Sequence, residues 1–423
     1  MNGLYVHIPF CVKKCSYCDF YSLPSRQDAI ESYVQTVLRE ANAYSPSFVR
    51  RDLKGELSIQ NPSFQTLYIG GGTPSLLDAK HLTTLITGLS HFFVIPAKAV
   101  GSNLNSPVGS GLRRYSVSKL MYEPDRPKGG SLSLGLSEST IEVNPESATP
   151  EFLQTAKDLG LNRISYGVQS LSDNELKSVG RIHTAAQAIA AIKLAQNLKF
   201  KAISADLIIG LPGQTWTSLR QSLKTLVGMG IQHLSVYCLS LEEGTLLANN
   251  PPPDLPSDDL QAKLFEETKK YLNLCGYAHY EISNFALKGF ECLHNLNYWR
   301  GGEYLGLGPA AASHLGGKRF KNYANLDAYL ANPAGQVEYV EELSAKDKAA
   351  EEAMLRLRLL EEGLDTDELA SKFGEENVKA IIGRLEEMAQ EGLLIKEGAR
   401  YRLEPSRILT SNPIFARVIA DKE

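Results

Sequence analysis

Three cysteines lie within eight residues near the start of the chain, where Cys11, Cys15 and Cys18 form the spacing CxxxCxxC. Soft thiolates favour zinc, copper(I) or iron–sulfur clusters. Three such ligands on a four-iron cube would leave one iron open to a ligand from outside the protein. A structural zinc would need a fourth ligand, for which His7 is the nearby candidate. Because the intervening loop is polar, we interpret the motif as an iron–sulfur site rather than as packed small residues, with zinc as the alternative.

Further polar or glycine-rich positions lie inside or after predicted strands. The turn Gly71-Gly72-Thr73 could hold a carboxylate or ribose oxygen on its backbone N–H groups, although a plain tight turn would look the same. Glu142 lies inside an apolar strand, where a carboxylate is costly unless it is paired or hydrogen-bonded. A salt-bridged core glutamate is the alternative at that position. The same reasoning applies to three polar side chains at strand ends or helix starts, which are Gln169, Arg181 and Asp206.

A second group of residues with chemical potential is the hexapeptide from His294 to Trp299, which has the pattern HNxxYW. An imidazole beside tyrosine and tryptophan suits a haem, since histidine can ligate the iron while aromatic rings cover the porphyrin. A lone histidine in such a segment is more often a hydrogen-bonded structural residue. Cys238 and Cys275 are interpreted as buried small residues.

The elements that position these residues alternate along most of the chain. From residue 4 to about 310, six short apolar runs are each followed by an amphipathic stretch, which predicts parallel βα units and an open or closed α/β barrel. The predicted strands are Leu4–Ile8, Thr66–Ile69, Thr140–Val143, Arg163–Val168, Ala205–Ile209 and Leu234–Leu239, with one more at Tyr277–Ile282. In such folds ligands bind at the carboxyl ends of the strands, where the polar residues above are found.

Segments that do not follow this βα alternation indicate how the chain divides into domains. Residues 1–310 are predicted to form the barrel, interrupted by a flexible surface insertion over 97–137, and residues 311–344 are predicted to connect it to a C-terminal domain over 345–423. That domain has two charged amphipathic helices, Ala345–Glu362 and Glu375–Glu391, followed by a small hairpin, a pattern that resembles a winged helix. Because acidic residues surround the hairpin, a structural or lid role is favoured over DNA binding.

The amino-acid composition excludes several classes of protein and of binding partner. Six cysteines in 423 residues are too few for a disulfide scaffold, and 44 basic against 48 acidic residues give a net charge of −4. This balance supports neither nucleic acid nor an anionic membrane as a general partner, so at most peripheral membrane contact is expected. The start of the chain has no signal-peptide pattern, which favours a reducing, cytoplasmic location.

Read with its flanks, the cysteine motif resembles the radical S-adenosylmethionine (SAM) superfamily, and Tyr5 through Phe20 is similar to the oxygen-independent coproporphyrinogen oxidase group. The resemblance covers the chain from residue 4 onward, apart from 97–137. It implies a partial (β/α)6 barrel like a TIM barrel, with a small C-terminal α+β domain. It also implies a [4Fe–4S] cluster on the three cysteines, whose open iron is chelated by SAM.

The resemblance also implies which residues bind the ligands. The first SAM would be contacted by Tyr5, Gly71, Gly72, Thr73 and Glu142. A second SAM would be contacted by Gln169, Arg181 and Asp206. The HNxxYW pattern matches a haem motif, which implies haem contacts from His294, Asn295, Tyr298 and Trp299. Reduction of the bound SAM by one electron would break its S–C5′ bond and release a radical able to abstract hydrogen.

Two departures from the oxidases bear on function. Phe20 stands where the oxidases usually have a fourth cysteine, and only four residues precede Tyr5. Together with HNxxYW, these favour the haem-chaperone subgroup, which binds haem as cargo and delivers it to apo-haemoproteins. The alternative is decarboxylation of coproporphyrinogen III. The resemblance further implies an electron donor such as flavodoxin or ferredoxin, no nucleic-acid partner, and a homodimer as one of the oligomeric states to test.

Overall fold

The computed structural model describes residues 2–24, 26–44, 49–51, 57–59, 64–93, 134–332 and 337–420. The predicted flexible insertion over 97–137 lies outside these residues, except for its last four positions. Within the described residues, no helix is both long enough and apolar enough to cross a membrane.

Six parallel strands lie side by side in chain order, as the repeated βα pattern predicts. Their outward faces are apolar and buried under the helices, whereas their inward faces carry mainly polar side chains. The strands are β1 (Asn2–Ile8), β2 (Thr66–Gly71), β3 (Glu138–Val143), β4 (Arg163–Gln169), β5 (Ala202–Ile209) and β6 (His233–Cys238). The predicted α/β fold with a partial six-unit barrel is confirmed.

The sheet continues beyond both ends of this core. On the β6 side, the predicted strand Tyr277–Ile282 is instead two short antiparallel strands, β7 (Ala278–His279) and β8 (Asn284–Ala286). On the other side, β1 pairs in parallel with β9 (Glu303–Leu307). An antiparallel run then follows, formed by β10 (Ala312–Leu315), β11 (Lys318–Asn322) and β12 (Val337–Glu342). Because β9 occupies the free edge of β1, the barrel stays open.

The helices of the barrel lie between the strands and pack their apolar faces on the sheet. Most begin at a Ser, Thr or Asp whose side chain accepts a backbone N–H of the first turn, as at Thr184 and Thr215. They are α1 (Gln27–Tyr44), α2 (Ala79–Leu89), α3 (Pro150–Asp158), α4 (Asp173–Ser178), α5 (Ala185–Asn197), α6 (Trp216–Gly228), α7 (Leu246–Asn249), α8 (Asp258–Leu274), α9 (Leu293–Trp299) and α10 (Leu326–Ala331).

Short elements complete this part of the fold. Phe10–Cys11 pairs in parallel with Leu23–Pro24, and Val49–Arg51 pairs antiparallel with Leu57–Ile59. Single turns of 3-10 helix are formed by Pro74–Leu76, Ser90–Phe92, Pro145–Ser147 and, in the C-terminal region, Pro405–Thr410.

The C-terminal region contains four helices and a three-stranded sheet. They are α11 (Ala345–Arg356), α12 (Thr366–Phe373), α13 (Glu375–Gln390), α14 (Ser411–Ile419), β13 (Leu364–Asp365), β14 (Leu394–Glu397) and β15 (Arg400–Leu403). The predicted helix over 345–362 ends at Arg356, because buried Leu359 leaves the helix to bridge Glu281 of the barrel. Residues 311–344 contribute β10–β12 and α10 to the large sheet and its cover.

Candidate functional site

The cysteine loop leaves the carboxyl end of β1 and is held at several points. The pair Phe10–Cys11 with Leu23–Pro24 closes its base. In its middle, the Ser16 N–H donates to the Val179 carbonyl at 3.2 Å, while the Ser16 carbonyl accepts from the Leu247 N–H at 2.8 Å. The loop therefore lies over the ends of several strands with Cys11 buried and the other two cysteines half-buried.

A chain of hydrogen bonds joins two of these sulfur atoms through neighbouring loops. Thr73 Oγ1 donates to Cys11 Sγ at 3.6 Å and accepts from Asn144 Nδ2 at 2.9 Å. Arg181 Nη2 donates to Asn144 Oδ1 at 2.8 Å, and its Nη1 donates to Cys15 Sγ at 3.6 Å. Two predicted SAM contacts, Thr73 and Arg181, thus also donate to the cluster cysteines.

Asn144 is the link in this chain that sequence reasoning missed. It follows β3 directly and precedes Pro145, so its amide lies at the strand ends with Thr73 and Arg181 on either side. The one available signal was a polar residue that ends an apolar strand, the same signal that singled out Gln169. An asparagine before proline is, however, common in ordinary turns.

The residues present fit a cluster in this loop. A Cβ at Gly72 would lie 3.0 Å from Cys11 Sγ and 2.6 Å from the Phe10 carbonyl oxygen, so only glycine leaves room there. Burial raises the pKa of Cys18, and the nearby thiols of Cys15 and Cys11 raise it further. Among the described residues, no three His, Cys, Asp or Glu side chains converge as a single metal ion would require. A four-iron cube places each cysteine on a different iron, so such convergence is not needed.

His7, the candidate fourth zinc ligand, already has partners at both ring nitrogens. Its Nδ1 is hydrogen-bonded to the Tyr5 hydroxyl at 2.9 Å and its Nε2 to the Tyr21 carbonyl at 2.8 Å. Burial lowers the pKa of His7. In this arrangement the imidazole positions Tyr5 and the end of the loop.

Inside the barrel, the inward side chains of the strands enclose a small cavity of about 50 Å³ lined almost wholly by polar groups. We call it the polar cavity; its lining includes Tyr68, Thr140, Glu142, Ser165, Asp206, Ser235, Cys292 and Asn295. Two carboxyl groups face it, and burial raises the pKa of Glu142 to about 7 and that of Asp206 to about 6. Carboxylates in such a setting gain from hydroxyl or ammonium donors, which SAM carries on its ribose and its amino group.

Glu142 has its own positioning contacts. Its Oε1 accepts from the Tyr68 hydroxyl at 2.8 Å, and its Oε2 accepts from the Gly71 N–H at 3.0 Å. Gly71 makes this bond at φ +109°, a left-handed conformation that favours glycine. The alternative of a salt-bridged core glutamate applies instead to Glu138, which pairs with buried Arg163 at 3.2 Å.

The other predicted SAM residues border the same region. Asp206 accepts from Ser165 Oγ at 3.2 Å. Gln169 ends β4 in a left-handed conformation with φ +63°, where the pairing with β5 shifts register. Such strain in a residue other than glycine is concentrated at functional sites, because the surrounding structure has to enforce it.

The HNxxYW helix α9 presents its residues to different surroundings. His294 is only 1% exposed, and its Nδ1 and Nε2 are hydrogen-bonded to Thr66 Oγ1 at 2.9 Å and to the Tyr298 hydroxyl at 2.8 Å. Burial lowers the pKa of His294 to about 3. Asn295 borders the polar cavity, whereas Tyr298 and Trp299 border a much larger space. Ligation of iron by His294 would require one of its two hydrogen bonds to break.

That larger space, which we call the cleft, has a volume of about 1050 Å³ and lies between the barrel, strands β9–β11 and the C-terminal helices. Its aromatic lining consists of Tyr5, Phe20, Tyr21, Tyr298, Trp299, Tyr304 and Phe373. Phe20, at the position of the oxidases' fourth cysteine, is 64% exposed and lines this cleft. The cleft is large enough for a tetrapyrrole and has the aromatic character that one would need.

The remaining cysteines differ from one another. Cys292 is buried and its Sγ donates to Glu138 Oε1 at 3.3 Å, so it has a structural contact. Cys238 is exposed and Cys275 is half-buried, so the interpretation of both as buried residues was wrong. Cys238 is the last residue of β6 and Cys275 follows the last residue of α8.

Comparisons with known proteins agree with this architecture. The family model for the radical SAM superfamily matches residues 5–226, and that for the HemN C-terminal domain matches residues 343–407. A solved structure of coproporphyrinogen III oxidase (HemN) from Escherichia coli superposes with a TM-score of 0.75 at 21% identity, covering 99% of this chain and 89% of that chain. The fold and the cysteine loop thus define a radical SAM protein.

Curated relatives extend the likeness over nearly the full length. The chain is 30% identical to heme chaperone HemW of Lactococcus lactis over 99% of this chain and 98% of that protein. It is 34% identical to heme chaperone HemW of Escherichia coli over 85% of this chain and 83% of that protein. The chain belongs to the HemW family of the radical SAM superfamily.

Proposed function

We propose that this protein is a haem chaperone that binds haem as cargo and delivers it to apo-haemoproteins. The observation that carries the proposal is the HNxxYW helix, whose Tyr298 and Trp299 form part of the wall of an aromatic cleft of about 1050 Å³. The full-length likeness to proteins named heme chaperone supports it. Phe20 supports it too, because a phenylalanine cannot ligate iron where the oxidases have a cysteine.

In this proposal Cys11, Cys15 and Cys18 hold a [4Fe–4S] cluster and the strand ends hold SAM. Gly71 and Gly72 bring backbone close to the ligand, Thr73 and Arg181 donate to the cluster sulfur atoms, and Glu142 and Asp206 accept from SAM donors. Tyr5, which lines the cleft, and Gln169, at the end of β4, would complete the contacts with SAM. When bound, the cluster supplies one-electron reduction of SAM.

The proposal also includes an electron donor, a cellular location, a class of binding partners and an oligomeric state. A one-electron donor of the flavodoxin or ferredoxin class would reach the cluster through the exposed residues of its loop, among them Val12 at 49% exposure. The free cysteine thiols favour the reducing cytoplasm as its location. The net charge of −4 favours small-molecule and protein partners over nucleic acid. A homodimer remains one of the states to be measured.

The test is one anaerobic preparation of the reconstituted full chain. We expect hemin to bind at one equivalent and to pass to apomyoglobin, followed by the rise of the myoglobin spectrum. The same preparation is incubated with SAM, a reductant and coproporphyrinogen III. Sustained vinyl formation in that assay, without haem transfer, would contradict the chaperone function and establish the oxidase instead.

A further inference from the structure

A second histidine, His314, stands in the wall of the cleft that Tyr298 and Trp299 also line. It lies on β10 opposite Tyr304 of β9, and the two rings meet edge to face with centroids 6.2 Å apart. Tyr304 in turn meets Tyr298 edge to face at 4.5 Å. A series of aromatic contacts therefore runs from His294 through Tyr298 and Tyr304 to His314. His314 lines the cleft, whereas His294 does not.

The surroundings of His314 keep it in the state that binds a metal. Its ring lies against Tyr304 of β9 and near the backbone of Gly302. Burial lowers the pKa of His314, and Arg319 and Lys348 act in the same direction. The imidazole is consequently neutral near pH 7, as ligation requires.

Cationic groups lie next to this histidine. Lys348 Nζ lies over the turn after β10, 2.6 Å from where a Cβ of Gly317 would be, so that glycine makes room for it. Arg319 also borders the cleft, where Glu351 and Glu341 already pair with it. Lys348 is thus the better placed of the two to pair with a carboxylate on a ligand.

We propose that the cleft holds the haem, that His314 rather than His294 ligates its iron, and that Lys348 pairs with a propionate. This inference rests on the proposed function, since it assumes that haem is the cargo. His294 is then a positioning residue, which holds the Tyr298 hydroxyl and so fixes one aromatic wall. A neutral histidine, aromatic walls and a cation in one cleft match the three parts of the ligand, which are iron, macrocycle and carboxylates.

The experiment compares hemin binding by the full-length protein with that of four variants. Pyridine haemochrome gives the stoichiometry, and EPR with magnetic circular dichroism reports the axial ligand separately from the cluster. We expect His314→Gly to lose the imidazole signature with at least a tenfold weaker Kd, and added imidazole to restore the signature. We expect His294→Ala and Tyr298→Phe to keep the signature and weaken binding to a similar, smaller extent. His81→Ala, on α2 and outside the lining of the cleft, is the matched control.

Lys348→Ala is tested with hemin and with its dimethyl ester. We expect the wild type to bind hemin more tightly than the ester, and the variant to bind both alike. An unchanged imidazole signature in His314→Gly, with its loss in His294→Ala, would overturn the ligand assignment while leaving the chaperone function intact. Absence of hemin binding by the wild type would instead refute the proposed function itself.

Discussion

The polar cavity and the cleft are both lined by helix α9, one turn apart, and are built in opposite ways. The polar cavity takes its lining chiefly from strands of the barrel, and its volume of about 50 Å³ is surrounded by carboxyl, hydroxyl and amide groups. The cleft is about twenty times larger and joins residues from the cysteine loop, strands β9–β11 and the C-terminal helices. The polar cavity suits ligand groups that form a few well-placed hydrogen bonds. The cleft suits a ligand with a broad apolar surface and charged groups at its edge.

In the proposed function, SAM and the cluster are held mainly by residues of the barrel strands and haem is held in the cleft, although Tyr5, a predicted SAM contact, lines the cleft as well. Residues at strand ends are fixed by the sheet and its hydrogen bonds, which gives the precision that SAM and a cluster need. The cleft is formed by parts that meet only through tertiary packing. We therefore expect variants on the cluster side to leave haem binding intact, and each prediction below can break or sharpen that separation.

The largest effect is expected from Cys15→Ala. Loss of one of three cluster ligands should abolish the broad absorption near 400 nm and the bound iron of the anaerobically reconstituted protein. Cys238→Ser is the control, because that thiol is exposed and lies outside the loop. Hemin stoichiometry should stay the same in both variants. If Cys15→Ala also lost hemin binding, the two spaces would not be independent.

The next largest effect is expected from Glu142→Gln. The amide keeps the shape but loses a charged acceptor in the polar cavity, so SAM affinity by calorimetry should fall by roughly 10- to 100-fold, a loss of about 1.5–3 kcal/mol. Glu281→Gln is a matched control, because burial also raises the pKa of Glu281 to about 7 but the side chain lies at the bridge to Leu359. Equal losses of SAM affinity in both variants would remove Glu142 from the site.

A smaller effect is expected from Asn144→Ala, which removes the link between Thr73 and Arg181. The cluster should still assemble, but with its two sulfur donors less well held its reduction potential should fall, on the order of tens of millivolts. Spectroelectrochemistry measures the shift. Asn162→Ala, at an asparagine that bonds the opposite end of β3, is the control. An unchanged potential would mean that Thr73 and Arg181 hold their positions without Asn144.

The smallest effect concerns pH. Folding raises the pKa of Glu142 from 4.5 to about 7 and that of Asp206 from 3.8 to about 6. The folded state therefore binds more protons between these values, so this contribution to stability is full below about pH 4 and is lost as the pH rises through 6 to 7. Glu142→Gln should flatten the pH dependence of the free energy of unfolding by about 1–3 kcal/mol, measured with denaturant. Glu151→Gln, on an exposed position of α3, should leave the profile as it is.

Much of the cluster side could be predicted from the sequence because each residue there lies near a local signal. The cysteines stand in one loop, and Glu142 and Asp206 are acids inside apolar strands. Asn144 was not predicted as a site residue, because asparagine followed by proline is common in turns that have no functional role. Its partners, Thr73 and Arg181, come from other βα units, and no local pattern joins the three.

The cleft could not be predicted in the same way. Phe20, Tyr304 and Phe373 come from distant parts of the chain, and although Phe20 stands out against the oxidases, nothing in the sequence joins it to the other two. The HNxxYW pattern predicts His294 as a haem contact, but it does not indicate that His294 is buried and hydrogen-bonded to Thr66, which is 228 residues away in the chain. His314 sits beside two glycines, where the sequence indicates only a turn.

Helix α9 contributes to the lining of both spaces, with Asn295 bordering the polar cavity and Tyr298, one turn later, bordering the cleft. A shift of this helix induced by one ligand would change the binding affinity for the other ligand, and thermodynamic linkage makes the two changes in affinity equal. If SAM changes the affinity for haem by some factor, haem must change the affinity for SAM by the same factor. The seven residues of helix α9 would then couple the occupancy of the SAM site to the affinity for haem.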